Sequence, residues 1–376
     1  MSRRFELGMS MEYVGNWGIT EAVREIFQNC YDEEIVNPEN KMLCEYNEEL
    51  QVLRIGNRNS TLSTKTLLLG CSSKRDDKRT IGTHGEGYKV ATIVLLRNNI
   101  GIRILNYNDR EVWTAKVVNS KRYGCPIGVY DIEQLGIFKK QPEFNLVFEL
   151  TGITKEMYDL IKENNLHLQD DLGEVYNGNS GRCLLDEKFK GKIYVNGLFV
   201  YTNPNLTYGY DIVANLVKLD RDRGLIDSFD LQWTLGRVIY ETGNIDFINS
   251  VKSTWDGVYI RIYMASVTSD KSVNKAIYFD SYEKFREKYG NDAVAVNSTD
   301  EFNILKKQGY NPVMVRDSDY HYITNCPEYT TVSIEPITKD SVLKSLDDWY
   351  NKYYTYLPIE ALDSFNDIIE NLKCLL

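Results

Sequence analysis

Histidine is nearly absent from this chain. Three residues in 376, at 84, 167 and 321, disfavour a histidine-built metal centre. Cysteine offers no substitute. The seven cysteines (30, 44, 71, 125, 183, 326 and 374) form no CxxC pair and are odd in number. That argues against a metal cluster and a disulfide framework, and leaves buried reduced thiols as the plain reading. No apolar run approaches the roughly 18–20 residues that span a bilayer, and the opening Met-Ser-Arg-Arg-Phe-Glu-Leu lacks the apolar core of a signal peptide. The expectation is a soluble cytoplasmic protein without membrane partners. Basic residues are outnumbered, and the net charge of −10 argues against a general nucleic-acid coat, though not against a local basic patch. Alanine is scarce, at nine residues, while Tyr, Asn, Lys and Ile abound. That bias fits an AT-rich genome and says nothing about chemistry. What is present, 43% hydrophobic and 26% charged residues, excludes wholesale disorder and suggests two or three domains.

Local patterns give the organisation. Residues 20–34 read as a helix with Thr20 as N-cap. Ile19, Ala22, Val23, Ile26, Phe27 and Cys30 make its apolar face. Residues 50–55 alternate like a strand, 60–81 read as a polar, basic loop, and an apolar helix runs from Tyr88 to about Leu96. Strands are expected at 101–107, 111–118 and 144–150, and a helix at 155–164. Together these make an α+β sandwich. Residues 169–188 read as a linker or arm, 192–202 as a hairpin around Asn196-Gly197, and 227–241 as a helix. Further on, 257–266, 276–279, 292–296 and 312–316 read as strands. Helices are expected at 281–289 and 299–308, with two closing helices at 338–353 and 358–375. The expected domains are 1–165, 166–255 and 256–376, the last a small α/β region with closing helices.

Two constellations carry chemistry. Glu25, Asn29 and Asp32 stand at i, i+4 and i+7 of the first helix, one polar stripe beside the apolar face. Such a stripe suits a pocket wall, and equally a solvated helix edge. Gly82, Gly85 and Gly87 precede a helix, where backbone N–H groups and the helix N-terminus favour an anion. Lys89 sits one turn in and can add a point charge. A glycine triplet alone is equally a turn.

Order and spacing join the two. Glu25-x-x-x-Asn29-x-x-Asp32 resembles the N box of the GHKL superfamily, the Bergerat-fold ATPases. Ile81-Gly-Thr-His-Gly-Glu-Gly-Tyr-Lys89 resembles its second glycine box. The family includes gyrase B subunits, ninety-kilodalton heat-shock chaperones, sensor kinases and MutL, and the resemblance covers about residues 10–160. It implies an ATP-binding fold in which Asn29 holds Mg²⁺, Glu25 is the general base that activates water, and Asp32 supports the nucleotide pocket. Gly82, Gly85 and Gly87 would cradle phosphates, with residues 60–87 as a lid and Lys74 and Lys89 as further phosphate contacts. One departure stands out. The first glycine box usually supplies an Asp that accepts from the adenine amino group. Here the strand runs into Gly56-Asn57-Arg58-Asn59-Ser60, and Asn57 or Asn59 would have to substitute.

Downstream, Lys218-Leu-Asp-Arg-Asp-Arg223 resembles a segment of the chaperones' middle domain whose arginine reaches the terminal phosphate. Arg223 would take that role here, in a transducer-like region; a run of local ion pairs is the alternative. The resemblance implies an ATP·Mg²⁺-driven conformational switch, with a protein partner or second copy engaged in the ATP state. Two rival readings remain: a nucleotide-binding adaptor or inhibitor without turnover, and a DNA-linked ATPase.

Overall fold

The computed structural model describes residues 3–67, 87–136, 142–219, 228–267, 272–332 and 339–375. These divide into two compact units, Met1–Asn274 and Lys275–Leu376.

The first unit opens with β1 (Arg3–Ser10), α1 (Ile19–Val36), β2 (Met42–Asn47) and β3 (Val52–Asn57). Then come α2 (Gly87–Arg97), β4 (Gly101–Asn106), β5 (Glu111–Ser120), β6 (Cys125–Gln134), β7 (Leu146–Thr151) and α3 (Lys155–Glu163). The strands form one antiparallel sheet in the order β1-β6-β5-β4-β7-β3-β2. Period-two alternation gives the sheet two unlike faces. Leu53, Ile55, Ile102, Ile104, Trp113, Phe148 and Leu150 are buried with the apolar sides of α1 and α2. Each such side chain contributes about 1.5–3 kcal/mol against the entropy of ordering it. On the other face one row of directly paired residues crosses all seven strands: Arg4, Asp131, Thr114, Arg103, Glu149, Arg54 and Glu45. Glu149 takes Arg54 Nε at 3.0 Å and Arg103 Nε at 3.1 Å from its two neighbouring strands. A sheet with helices on one face and charge on the other is the expected α+β sandwich.

α1 starts at Ile19, earlier than its expected Thr20 cap. Gly18 is the N-cap, and Glu21 reaches back to the Gly18 N–H at 2.8 Å. α2 is buried on every side from Tyr88 to Leu95, because it lies between α1 and the sheet. Strand β6 carries Gly128 and Pro126, which argue against a strand in sequence. Gly128 lets α2 pack close, since a Cβ there would lie 2.4 Å from Ile93 Cδ1 and would push that side chain aside.

The same unit continues with β8 (Val175–Gly178), β9 (Gly181–Leu184), β10 (Lys192–Val195), β11 (Leu198–Thr202) and β12 (Gly209–Ile212). Three helices follow, α4 (Ser228–Glu241), α5 (Ile245–Val251) and α6 (Trp255–Ser266). The second sheet runs β11-β10-β12-β9-β8. Its β8–β9 hairpin replaces the expected linker at 169–188. The hairpin at Asn196-Gly197 forms as expected, with both turn residues at positive φ (46° and 79°). Residues 257–266, expected as a strand, are the helix α6. It packs so closely on α4 that a Cβ on Gly236 would lie 2.1 Å from the Tyr259 carbonyl oxygen.

α7 (Ser272–Tyr289) leads into the second unit and absorbs the strand expected at 276–279. Then come β13 (Ala293–Val296), α8 (Thr299–Lys307), β14 (Asn311–Met314), α9 (Asp317–Thr324), α10 (Lys339–Tyr353) and α11 (Ile359–Leu375). β13 and β14 pair in parallel across α8, a single βαβ crossover.

Candidate functional site

The site is assembled from α1 and the first residues of α2. The helical repeat puts Glu25, Asn29 and Asp32 on one side of α1. The fold then buries that side: Glu25 and Asp32 are buried and Asn29 is half-buried. The solvated-edge alternative is set aside for Glu25 and Asp32. Gln28, not singled out in the sequence, belongs to this side as well. It is buried, and its Nε2 lies 3.5 Å from Asp32 Oδ2, at the limit of a hydrogen bond. Its spacing to Asp32 is the same i, i+4 that marked Glu25 and Asn29 and was the available signal.

Gly87 opens α2 directly against this side of α1. A Cβ at Gly87 would stand 2.6 Å from Glu25 Oε2 and 3.4 Å from Asn29 Nδ2. Contacts under 3.0 Å do not occur, so a larger residue would displace the carboxylate. The glycine leaves Glu25 and Asn29 at the N-terminal end of α2, where a helix carries partial positive charge.

The next two residues of α2 hold the chain that precedes residue 68. Lys89 is fully buried and donates from Nζ to the Thr66 carbonyl oxygen at 2.8 Å. The Tyr88 hydroxyl meets Thr66 Oγ1 at 2.8 Å. Burial pushes the Tyr88 phenol well above its ordinary pKa, with the Thr66 hydroxyl acting the other way, so it stays protonated.

Asn57 ends β3 at the other end of the stripe. Its Nδ2 donates to the Cys30 carbonyl at 2.8 Å and to the Asn40 carbonyl at 2.9 Å. Both amide hydrogens are therefore used on the main chain, which leaves the amide oxygen as the group's acceptor. Asn59 stands apart from it, at φ 50°, with its N–H on Asn145 Oδ1 at 2.8 Å.

Of the sequence-derived set, the fold gathers Glu25, Asn29 and Gly87 at one point, sets Asp32 and Asn57 toward the far end of α1, and turns Lys89 onto Thr66. Lys74, Gly82, Gly85 and Arg223 lie outside the described residues. Among the described residues no helix is long and apolar enough to cross a membrane.

No family model matches the chain, and no curated protein matches it. Among solved structures, it is similar to the ATPase region of Saccharomyces cerevisiae topoisomerase II at 10% identity. The match covers 65% of this chain and 86% of that one, with a TM-score of 0.36. The same region bound to ICRF-187 (dexrazoxane) is similar at 11% identity over 66% and 86% of the two chains, with a TM-score of 0.37.

Proposed function

We propose that the first sheet and its helices form an ATP-binding, Mg²⁺-dependent ATPase domain of GHKL type. The phosphates would lie where α1 meets the start of α2. The observation that carries this reading is the contact of Gly87 with Glu25 and Asn29. The glycine-box residue lies against the two side chains to which the N-box resemblance assigns base and metal.

In this reading Glu25 orients the attacking water and takes its proton. Its burial shields the carboxylate from competing solvent. Asn29 would hold Mg²⁺ through its amide oxygen; an uncharged oxygen donor suits a hard cation that shares its shell with phosphates and water. Once bound, that ion supplies neutralisation of phosphate charge. Asp32 and Asn57 would line the base end of the pocket. Lys74, Gly82, Gly85 and Arg223 are carried into the proposal on sequence grounds alone: the glycines for phosphate oxygens, Lys74 for a phosphate, Arg223 for charge developing at the terminal phosphate. Lys89 is kept in the set as a phosphate contact through the donors of its ammonium other than the one on Thr66. Closure of the 60–87 segment, and engagement of a protein partner or second copy in the ATP state, complete the cycle.

A thermal-shift panel tests the reading with Mg²⁺ plus ATP, a non-hydrolysable analogue, ADP, GTP or no nucleotide. Ligand at 100 times its dissociation constant stabilises by about 2.7 kcal/mol. Stabilisation by adenine nucleotides is expected; no shift with any of them would overturn it. Glu25→Ala should keep binding and lose turnover, and Asn29→Ala should weaken Mg·ATP binding. The second reading, binding without turnover, is favoured by the amide at position 57 in place of an acid. Binding with no hydrolysis in the wild type would select it.

A further inference from the structure

α1 has a second flank, and it faces the other sheet. Arg24 precedes Glu25, and its side chain is only 13% exposed. Its Nη1 donates to the Phe199 carbonyl oxygen of β11 at 3.2 Å, and its Nη2 lies 3.7 Å from Glu25 Oε1. The guanidinium also lies 5.8 Å from the centre of the Trp17 ring, which narrows its freedom. Thus one planar fork faces both the candidate base and the backbone of the second sheet. Arginine can do this because its donors point along separate edges of one rigid plane.

The β10–β11 hairpin does not rest on Arg24 alone. Phe199 N donates to the Asn164 carbonyl at 3.0 Å, and Leu166 N to the Gly197 carbonyl at 2.8 Å. His167 Nε2 donates to the Asn196 carbonyl at 2.8 Å, and its ring lies 4.3 Å from that of Tyr31. Tyr31 precedes Asp32 on α1. The hairpin therefore meets α1 directly at Arg24, beside Glu25, and is linked to it a second time through His167 and Tyr31, beside Asp32. A cleft lined by Thr20, Arg24, Phe27, Asn164, Leu198 and Phe199 adjoins the Arg24 contact.

We infer that Arg24 is a positioning residue through which the β10–β11 hairpin of the second sheet sets the orientation of Glu25. Its catalytic consequence rests on Glu25 being the base; the mechanical tie does not. A shift of the hairpin moves the Phe199 carbonyl, redirects the guanidinium, and alters where the carboxylate is held. The second sheet then acts on hydrolysis while touching neither nucleotide nor water. This places the coupling in a defined side chain with a defined partner on each side.

A double-mutant cycle between Arg24→Met and Gly197→Ala tests this. Gly197 has φ 79°, which strains an alanine there, and its Cβ would lie 2.4 Å from His167 Nε2, so the change disturbs the hairpin tip and its His167 contact. The readouts are hydrogen–deuterium exchange of α1 without nucleotide, and kcat and KM for Mg·ATP. Each single change should speed exchange in α1 and lower kcat by about tenfold, with KM within about threefold. The double variant should be no worse than the poorer single one. Arg24→Lys should recover part of kcat, because it keeps a cation beside Glu25 but not the fork. Multiplying losses in the double variant, or unchanged α1 exchange in both singles, would overturn the inference. If Gly197→Ala does not fold, His167→Ala takes its place, since it removes the ring that donates to the same turn. A wild type that neither binds nor hydrolyses ATP would sink the proposed function, while the exchange measurement still decides the tie.

Discussion

Gly87 stands where any side chain would strike Glu25: a Cβ there would lie 2.6 Å from Oε2. Gly87→Ala should therefore displace the carboxylate while leaving the fold in place, since alanine is the better helix residue. The expected outcome is a fall in kcat of about tenfold or more, on the scale seen when a positioned catalytic group is misplaced, with a melting temperature near wild type. Wild-type turnover by this variant would show that the contact is only packing.

Lys89 should behave as a structural residue in the absence of nucleotide. Its ammonium is buried and donates to the Thr66 carbonyl. Lys89→Met keeps the volume but leaves that carbonyl without its donor. A loss of about 1–3 kcal/mol in urea unfolding is expected. Unchanged stability together with weakened ATP binding would assign Lys89 to the phosphates instead.

The charged row of the sheet predicts the acid limb of stability. Hydrogen bonds from Arg4 hold the Asp131 carboxyl down at about 2 against the opposing push of burial, with Lys116 adding to the downward effect. Burial raises Glu149, but its hydrogen bonds to Arg103 and Arg54 outweigh that, and its net shift is also downward. A carboxyl lowered by folding stabilises above its unfolded pKa of about 4, and that contribution is lost as pH falls toward its folded value. Unfolding free energy should thus decline from about pH 5 toward pH 2. Asp131→Asn should flatten the decline, and added salt should weaken it because Arg4 and Lys116 are half exposed. An unchanged acid limb in Asp131→Asn would refute the assignment.

Gly236→Ala should separate α4 from α6. The added methyl would lie 2.1 Å from the Tyr259 carbonyl oxygen, which is backbone and yields little. Overpacking of this kind costs about 1–3 kcal/mol. A clear drop in melting temperature is expected, and a neutral or stabilising result would mean the two helices do not cross as closely as described.

Legibility followed the range of the interactions. The α1 stripe, the Asn196-Gly197 turn and the parallel pair across α8 were readable because each is written within a few turns or residues of chain. Strands β1, β2 and β6 were not. In β6, Pro126 and Gly128 speak against a strand, and only the approach of Ile93 explains the glycine. Residues 257–266 were misread because Val258, Ile260, Ile262 and Met264 also satisfy a period of two. The buried set Asp256, Gly257, Tyr259, Ile260, Tyr263 and Met264 is helical, and packing against α4 decided between the two periods. The expected Thr20 cap failed because Gly18 and Glu21 supply a better closure two residues earlier.

By itself the sequence determined which residues are neighbours along one element: Glu25, Asn29 and Asp32 on one helix side, and two residues at positive φ in one turn. Helical and strand repeats are properties of consecutive backbone, so they need no tertiary information. Only the tertiary structure decided that Gly87 meets Glu25, that Asn57 spends its amide on Cys30 and Asn40, and that Arg24 reaches Phe199 across 175 residues. Those contacts depend on the closing of long loops around a shared core. Their partners are chosen by burial and shape, which no local repeat encodes.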